Sequence, residues 1–197
     1  MKFLQRLIDS FRRFPSVGPK QAERFSLYIL KANESEIDEL ISAIRDVKSN
    51  VKNCTMCNNY TIHEICEICC DTSRINKICV VETPFDVISI EKTAVYRGRY
   101  FVLGSNLIPA SNNTSFTNNI KHLKRMIKET NSDEVIIALD ATTEGQITAI
   151  YIKKALSDMG VKISRIAYGI PLGANIDYID SFTLSHALKQ RVPVEEG

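Results

Sequence analysis

The sequence lacks any apolar run that approaches the roughly 18 consecutive residues of a membrane-spanning helix. We also expect no signal peptide, because the opening residues, Met1 to Arg6, become polar too early for an apolar signal core. Both absences argue against a membrane or secreted protein. They predict a cytoplasmic chain with no membrane partner.

The net charge is also small, at +2, and by itself it favours no class of partner. Its distribution is uneven, however. Residues 1–31 contain seven Lys or Arg and two acidic residues, a net charge of +5 that leaves −3 for the rest. A basic N-terminal module joined to a mildly acidic body is typical of a chain whose N-terminal end binds an anion. The length of 197 residues and the 44% hydrophobic content allow one sizeable core with one or two small modules.

Only six cysteines are present, but four of them form a regular pattern, Cys54-x2-Cys57-x8-Cys66-x2-Cys69. Two Cys-x-x-Cys pairs at this separation can place four thiolates around one tetrahedral metal ion, because eight residues suffice to bring the second pair back to the first. The pattern predicts a structural zinc site. A pair of disulfides and a redox Cys-x-x-Cys are the alternatives, and the absence of a secretory signal disfavours both.

Three nearby residues are predicted not to be ligands. His63 lies between the two cysteine pairs, where four thiolates already complete the shell, so it is interpreted as a solvated loop residue. Cys70 adjoins Cys69 and cannot join the same pair without strain. Cys79 falls in the apolar run Ile78–Val81 and is interpreted as a small buried hydrophobe.

The spacing of apolar residues predicts a helical N-terminal module. A first helix ends before Pro15, a second begins near Pro19, and a third is capped by Asn33 or Ser35. The third helix carries an apolar stripe that predicts core packing within this module: Ile37, Leu40, Ile41, Ile44, Val47 and Val51.

The turn between the first two helices combines Gly18 with basic residues. A glycine just before a helix start exposes backbone N–H groups at the positive end of the helix dipole, where a phosphate can bind. Lys20 and Arg24, one helical turn apart, flank that position. A plain helical hairpin with a solvated basic face explains the segment equally well, so both interpretations remain open at this stage.

From Lys77 onward, short apolar runs alternate with helical stretches, which predicts a parallel sheet with helices on its faces. Such sheets bind ligands at the carboxyl ends of their strands. Glu82 follows the first strand, Asp140 follows the third, Glu144 begins the next helix, and Asp86 lies one turn after Glu82. These oxygen ligands suit a magnesium ion. Purely local roles at strand and helix ends are the alternative, and no spacing decides between them.

Taken in order, these motifs resemble the RecR family of bacterial recombination mediators, over essentially the whole chain. The motifs that carry the resemblance are Pro15-x-Val17-Gly18-Pro19-Lys20, the four cysteines, Ile78-Cys79-Val80-Val81-Glu82-x-Pro84-x-Asp86, Thr143-Glu144-Gly145 and Gly169-Ile170-Pro171-x-Gly173. The resemblance implies a mixed α/β chain of four parts. These are a helix-hairpin-helix DNA-binding module at 1–53, a four-cysteine zinc finger at 54–72, a Toprim domain at 73–168 and an oligomerisation tail at 169–197.

The resemblance also implies a function. Members of the family act with RecO and RecF to load RecA onto single-stranded DNA at gaps, and they assemble as homo-oligomeric rings or clamps. By this resemblance, Lys20 and Arg24 beside Gly18 contact DNA. Glu82, Asp86 and Glu144 match the acidic positions of the family's Toprim surface, which we expect to bind a basic partner such as RecO.

The sequence departs from the family pattern at several positions. Ser16 replaces the glycine that is usual at the hairpin turn, and Gln146 replaces a second glutamate. Asn175 replaces an acidic residue of the tail, and the segment Ser105–Ser115 is rich in asparagine where the family is rich in glycine.

Two other classes of function are the alternatives. One is a magnesium-dependent Toprim nuclease, and the other is a zinc-stabilised protein-interaction module. Toprim enzymes keep a paired Asp-x-Asp after the third strand to hold magnesium, whereas this chain has Asp140-Ala141-Thr142, so one carboxylate is missing. The sequence therefore predicts a protein without catalytic activity.

Overall fold

The computed structural model describes residues 1–104, 114–167 and 169–193, which divide into two compact units, Met1–Val51 and a body that begins at Lys52. Residues 105–113 of the asparagine-rich segment lie outside the described residues. In the described part of the chain, no helix combines the length and the apolar character that crossing a bilayer requires.

The first unit consists of three helices, α1 (Lys2–Phe11), α2 (Pro19–Lys31) and α3 (Glu34–Asn50). Pro19 occupies the first turn of α2, where its missing N–H costs nothing. Asn33 caps α3 reciprocally: its Oδ1 accepts the Glu36 N–H at 2.9 Å, and the Glu36 carboxylate accepts the Asn33 N–H at 3.2 Å. These local signals explain why both helix starts were predictable.

Aromatic contacts hold α1 against α2. The Phe11 ring lies 5.5 Å from the Phe25 ring, edge to face, and 6.1 Å from the Phe14 ring. Only Ala22 and Ser26 are buried among residues 1–51.

The prediction that the apolar stripe of α3 packs into a core is wrong. Ile37 is half-buried, while the other members of the stripe are exposed: Leu40, Ile41, Ile44, Val47 and Val51. Helical periodicity correctly identifies which face is apolar, but it says nothing about the surface that covers that face.

The body begins with a small antiparallel ribbon, β1 (Lys52–Asn53) and β2 (Tyr60–Thr61), followed by the short helix α4 (Glu67–Cys70). This segment, residues 52–70, contains all four cysteines of the predicted metal site, and we refer to it as the knuckle.

A four-stranded sheet forms the centre of the body. Its strands are β3 (Lys77–Val81), β4 (Arg99–Val102), β5 (Glu134–Ala138) and β6 (Lys162–Arg165). They are parallel throughout and lie in the order β4-β3-β5-β6. The intervening helices are α5 (Pro84–Glu91), α6 (Thr114–Glu129) and α7 (Thr143–Ala155). The predicted mixed α/β class and parallel sheet are thereby confirmed.

Large apolar side chains from β3, β4, α6 and α7 fill the core, among them Phe101, Phe116, Leu123 and Ile152. Because all four strands run in the same direction, Val81, Val102 and Ala138 align at one edge of the sheet. That edge carries the residues that follow the strands. The tail adds a 3₁₀ turn (Ile176–Tyr178) and helix α8 (Ser181–Lys189), whose N-cap Asp180 accepts the Thr183 N–H at 2.9 Å.

Candidate functional site

The four patterned cysteines converge on one buried point in the knuckle. Their sulfur atoms all lie within 4.8 Å of one another, and each residue is buried. A tetrahedral ion with metal–sulfur bonds of about 2.3 Å would separate its ligand sulfurs by about 3.8 Å. The Sγ atoms of Cys57 and Cys66 are 3.6 Å apart. This donor set can hold a metal ion, and its composition of four sulfurs is consistent with zinc.

Backbone geometry brings the two pairs together. Asn58 adopts a left-handed conformation (φ 62°) that turns the chain directly after Cys57. The Cys54 carbonyl accepts the Asn58 N–H at 3.0 Å, and the Cys54 N–H donates to the Asn59 carbonyl at 2.7 Å. The Cys66 N–H donates to the Cys54 sulfur at 3.3 Å, which favours the thiolate that a metal needs.

Hydrogen bonds among the thiols shift the pKa values of Cys57 and Cys66 in opposite directions. The hydrogen bond from Cys57 lowers the pKa of Cys66, and the same contact together with burial raises the pKa of Cys57.

The neighbouring residues lie outside this cluster. His63 and Cys70 are exposed, and the described metal-ligating group consists of the four patterned cysteines. Cys79 is buried in β3, where burial raises the pKa of its thiol to about 12, in line with its interpretation as a small hydrophobe.

The knuckle is fixed to the outer strand of the sheet. The Val102 N–H donates to the Cys57 carbonyl at 2.8 Å, and the Asn58 side-chain amide donates to the Val102 carbonyl at 3.2 Å. The four cysteines therefore belong to the same packed core as β3 and β4. Sequence reasoning missed Asn58, although its position directly after Cys57 marks a turn.

A second link that the sequence did not reveal joins the segment that follows the knuckle to α5. The Arg74 guanidinium donates to both oxygens of Glu91, at 2.8 and 2.6 Å, and to the Gly98 carbonyl at 3.0 Å. The Tyr100 hydroxyl also donates to Glu91 at 2.6 Å. The hydrogen bond from Arg74 is the main cause that lowers the pKa of Glu91, so this contact is a charge-assisted pair.

The predicted DNA-contacting residues gather at the start of α2. Gly18 is the N-cap in extended conformation, and no side chain among the described residues caps this end. Lys20 and Arg24 are exposed, and the described ion pairs do not include either of them. Ser16 has a positive φ of 62°, so the turn does adopt the conformation that glycine favours, at a cost on the order of 1 kcal/mol for serine.

The predicted carboxylates share an edge of the sheet without forming a metal site. Glu82 follows β3 and Asp140 follows β5, its neighbour. Within the described residues, however, only the four cysteines bring three or more potential ligands close together. The geometry thus gives no support to the suggestion of a bound magnesium ion.

Asp86 and Glu144 have different positions. The Asp86 carboxylate accepts the Thr83 N–H at 2.7 Å and the Thr83 hydroxyl at 2.9 Å, so it caps α5. Glu144 is exposed in the first turn of α7. The next residue must be Gly145, because a Cβ there would collide with the Asp140 carbonyl.

Comparison with known proteins agrees with this architecture. Family models match in succession: the RecR helix-hairpin-helix at residues 4–48, the Toprim domain at 76–167 and the RecR C-terminal region at 169–192. A protein named Recombination protein RecR from Dehalococcoides mccartyi is 39% identical over 95% of this chain and 93% of its own length. Proteins of the same name from Bifidobacterium animalis and Mycoplasmopsis pulmonis are 41% and 39% identical, over 95% and 96% of this chain and 94% and 98% of their own lengths.

Proposed function

Because the chain belongs to the RecR family of recombination proteins, we propose that it mediates recombinational DNA repair in the cytoplasm. It acts with RecO and RecF to load RecA onto single-stranded DNA at gaps. The observation that carries this proposal is the collinear match of three family regions, with about 40% identity to RecR proteins over 95% of the chain.

We assign residues 1–53 to DNA binding, 54–72 to the zinc finger, 73–168 to the Toprim domain and 169–197 to oligomerisation. The ion that Cys54, Cys57, Cys66 and Cys69 hold is zinc. Four buried thiolates close the coordination shell, which is the arrangement of structural rather than catalytic zinc. The ion's role is therefore to fix the knuckle on the sheet.

Lys20 and Arg24 bind DNA phosphates, with the Gly18 turn presenting backbone donors beside them. Their exposure and the uncapped start of α2 support this role, because both leave positive charge and N–H groups available to an anion. Such contacts neutralise phosphates without reading bases, so binding is independent of sequence and sensitive to salt.

The chain assembles as a ring or clamp of several copies. The exposed apolar stripe of α3 supports this, since a contiguous apolar face on a helix is typical of a surface that another subunit covers. The exposed apolar residues of the tail, including Phe182 and Leu188, support the same conclusion for residues 169–193.

The acidic edge of the sheet binds a basic partner, RecO. Glu82 and Glu144 supply the charge for this interaction, and Asp86 contributes by holding the start of α5 in place. The chain does not cleave DNA, because its Toprim surface lacks the second carboxylate after β5 and its described carboxylates do not converge.

The proposal is tested by RecA loading on gapped DNA with purified chain, RecO and RecF. We expect the chain to accelerate loading in the presence of RecO, and we expect Glu82→Lys to abolish that acceleration while leaving DNA binding by the chain alone unchanged. No acceleration by the wild-type chain would overturn the mediator assignment. Magnesium-dependent cleavage by the wild type that disappears in Glu82→Lys would establish the nuclease instead.

A further inference from the structure

The knuckle contains one cysteine more than its metal site uses. Cys70 directly follows the ligand Cys69, and it is the one exposed member of the six cysteines, all of which lie in the described part of the chain. The four ligands and Cys79 are buried. A dissolved oxidant therefore reaches the Cys70 thiol more easily than the other five, because access to solvent is one condition for oxidation of a cysteine.

The position of Cys70 relates it to one ligand in particular. Cys66 caps the start of α4 and Cys70 is the last residue of this helix. The Cys70 N–H donates to the Cys66 carbonyl at 3.0 Å, so the two residues are one helical turn apart. A helical turn separates Cα atoms by about 6 Å, which lies within the range of about 4.4–6.8 Å that disulfides span. A bond between these two sulfurs therefore needs only a small distortion of a four-residue helix.

The peptide unit between Ile65 and Cys66 contacts both the Cys70 sulfur and the metal site. The Cys70 Sγ lies 4.0 Å from the Ile65 carbonyl oxygen. The N–H of the same peptide unit, which belongs to Cys66, donates to the Cys54 Sγ at 3.3 Å. The Cys70 side chain is thus directed back toward the start of α4, and an oxidised Cys70 forms beside a ligand of the metal site.

We propose that Cys70 is an oxidation site that couples the metal content of the knuckle to peroxide. This role rests on the zinc site of the proposed function. Hydrogen peroxide oxidises the Cys70 thiol to a sulfenic acid, and water leaves. The Cys66 thiolate then attacks the sulfenic sulfur: the S–S bond between Cys66 and Cys70 forms, the S–O bond breaks, and hydroxide leaves. The two sulfurs together lose two electrons, which reduce the peroxide to water and hydroxide.

The disulfide removes one of the four ligands. Structural zinc sites are four-coordinate, so the affinity for the ion falls when Cys66 is no longer a thiolate. Folding of such a segment is coupled to metal binding, so the knuckle loosens as well. A dithiol reductant reverses the step by thiol–disulfide exchange, which makes the modification a reversible switch.

Zinc release by peroxide, measured on the full chain, tests the proposal. The wild type and Cys70→Ser are loaded with zinc under reducing conditions, freed of reductant and treated with hydrogen peroxide. A chromogenic chelator reports the released zinc. We expect Cys70→Ser to release zinc roughly fivefold or more slowly than the wild type. Dithiothreitol with added zinc should restore the metal content of the oxidised wild type.

A control variant and a chemical readout separate this switch from general oxidation. Cys79→Ala removes the other cysteine that is not a ligand, and we expect it to release zinc at the wild-type rate. Proteolysis after Glu64 and Glu67 leaves Cys66 and Cys70 on separate peptides. Mass spectrometry of the oxidised wild type should find these peptides joined by a disulfide, with fragmentation identifying Cys70 as the bonded residue.

The outcomes separate the switch from the zinc site. Equal release by the wild type and Cys70→Ser would refute the switch and leave the zinc site standing. Disulfides confined to the four ligands, or slow release by Cys79→Ala as well, would also refute it. A loss of zinc that reductant does not reverse would have the same meaning, because the switch requires a disulfide. A wild type that binds no zinc under reducing conditions would overturn both.

Discussion

The two units of the chain bury their apolar residues to very different extents. The body has a core in which Phe101, Leu123 and Ile152 are fully enclosed, whereas the N-terminal unit buries only Ala22 and Ser26 within residues 1–51. A domain of about 50 residues has too little interior to be stable without further support. The body therefore has a packed core of its own, whereas the N-terminal unit leaves most of its apolar side chains exposed.

The two units also differ in the role of their charged residues. In the N-terminal unit the basic residues Lys20 and Arg24 point to solvent and tie no elements together. In the body, charged residues such as Arg74 and Glu91 link segments that are distant in sequence. Charge near the N-terminus is thus available for a ligand, while much of the charge in the body is already part of the structure.

The largest expected effect is the loss of the metal. Replacing Cys66 by serine should expel the ion and unfold the knuckle, because metal binding and folding of such a segment share one free energy, on the order of 10 kcal/mol or more. Elemental analysis and proteolysis of residues 52–70 measure both losses. Cys70→Ser is the control and should keep its metal. Full metal content in Cys66→Ser would refute the four-cysteine site.

Replacing one phenylalanine in each unit by alanine tests the difference in burial between the units. Phe101→Ala should lower the free energy of unfolding by about 3–5 kcal/mol, because it leaves a cavity in a fully packed site. Phe25→Ala should cost less than about 2 kcal/mol, because this ring is 38% exposed. Denaturant unfolding of the two variants tests the difference. Equal losses of unfolding free energy in the two variants would show that Phe25 is buried in solution. The two units would then not differ in how well they bury their aromatic residues.

Acid should destabilise the body through Glu134. Its carboxylate accepts from Lys77 at 2.8 Å, from Ser164 at 2.8 Å and from Lys162 at 3.2 Å, and the bond to Lys77 contributes most to lowering its pKa from 4.5 to about 2. A lowered pKa in the folded state adds stability that is complete above pH 4.5 and is lost as the pH falls toward 2.

The corresponding variant is Glu134→Gln. It should lower the free energy of unfolding at pH 7 by roughly 2–3 kcal/mol and flatten its pH dependence between 4.5 and 2. Urea unfolding at several pH values gives both quantities. An unchanged pH profile would show that other groups control acid stability.

The smallest expected effect in free energy concerns DNA. Replacing Lys20 and Arg24 together by alanine should weaken binding by about tenfold for all sequences and lower the salt slope by about one unit for each lost contact. The matched control removes two exposed lysines of the body, Lys121 and Lys128 on α6, and should leave both quantities unchanged. Fluorescence anisotropy at several salt concentrations measures the DNA affinity and the salt slope of the double variant and of the control. If the control falls as far as the double variant, DNA binding is not a property of the N-terminal unit.

Local signals made much of this structure predictable. Pro19 and Asn33 determine helix starts through their own backbone and side-chain bonds, and the spacing of four cysteines leaves few arrangements other than a shared metal. The alternation of short apolar runs with helical stretches likewise predicted the parallel sheet, because apolar residues recur at different spacings in strands and in helices.

Long-range geometry was not predictable in the same way. Arg74 meets Glu91 across 17 residues, and Asn58 meets Val102 across 44, and neither separation leaves a periodic trace in the sequence. The carboxylates after β3 and β5 were correctly placed at one edge, but whether they converge depends on side-chain directions that strand order alone does not fix. The exposure of the α3 stripe is set by tertiary contacts, which helical periodicity does not encode.

The bond from the Val102 N–H to the Cys57 carbonyl has a consequence for solubility. β4 is an outer strand of the sheet, and an unpaired outer strand is a template for adding strands from other molecules. Here the knuckle occupies that template at Val102, and a metal ion held by its four cysteines would couple the shape of the knuckle to metal binding. We therefore expect removal of the metal by a chelator to leave the outer edge of β4 unprotected and to make the protein aggregate more readily.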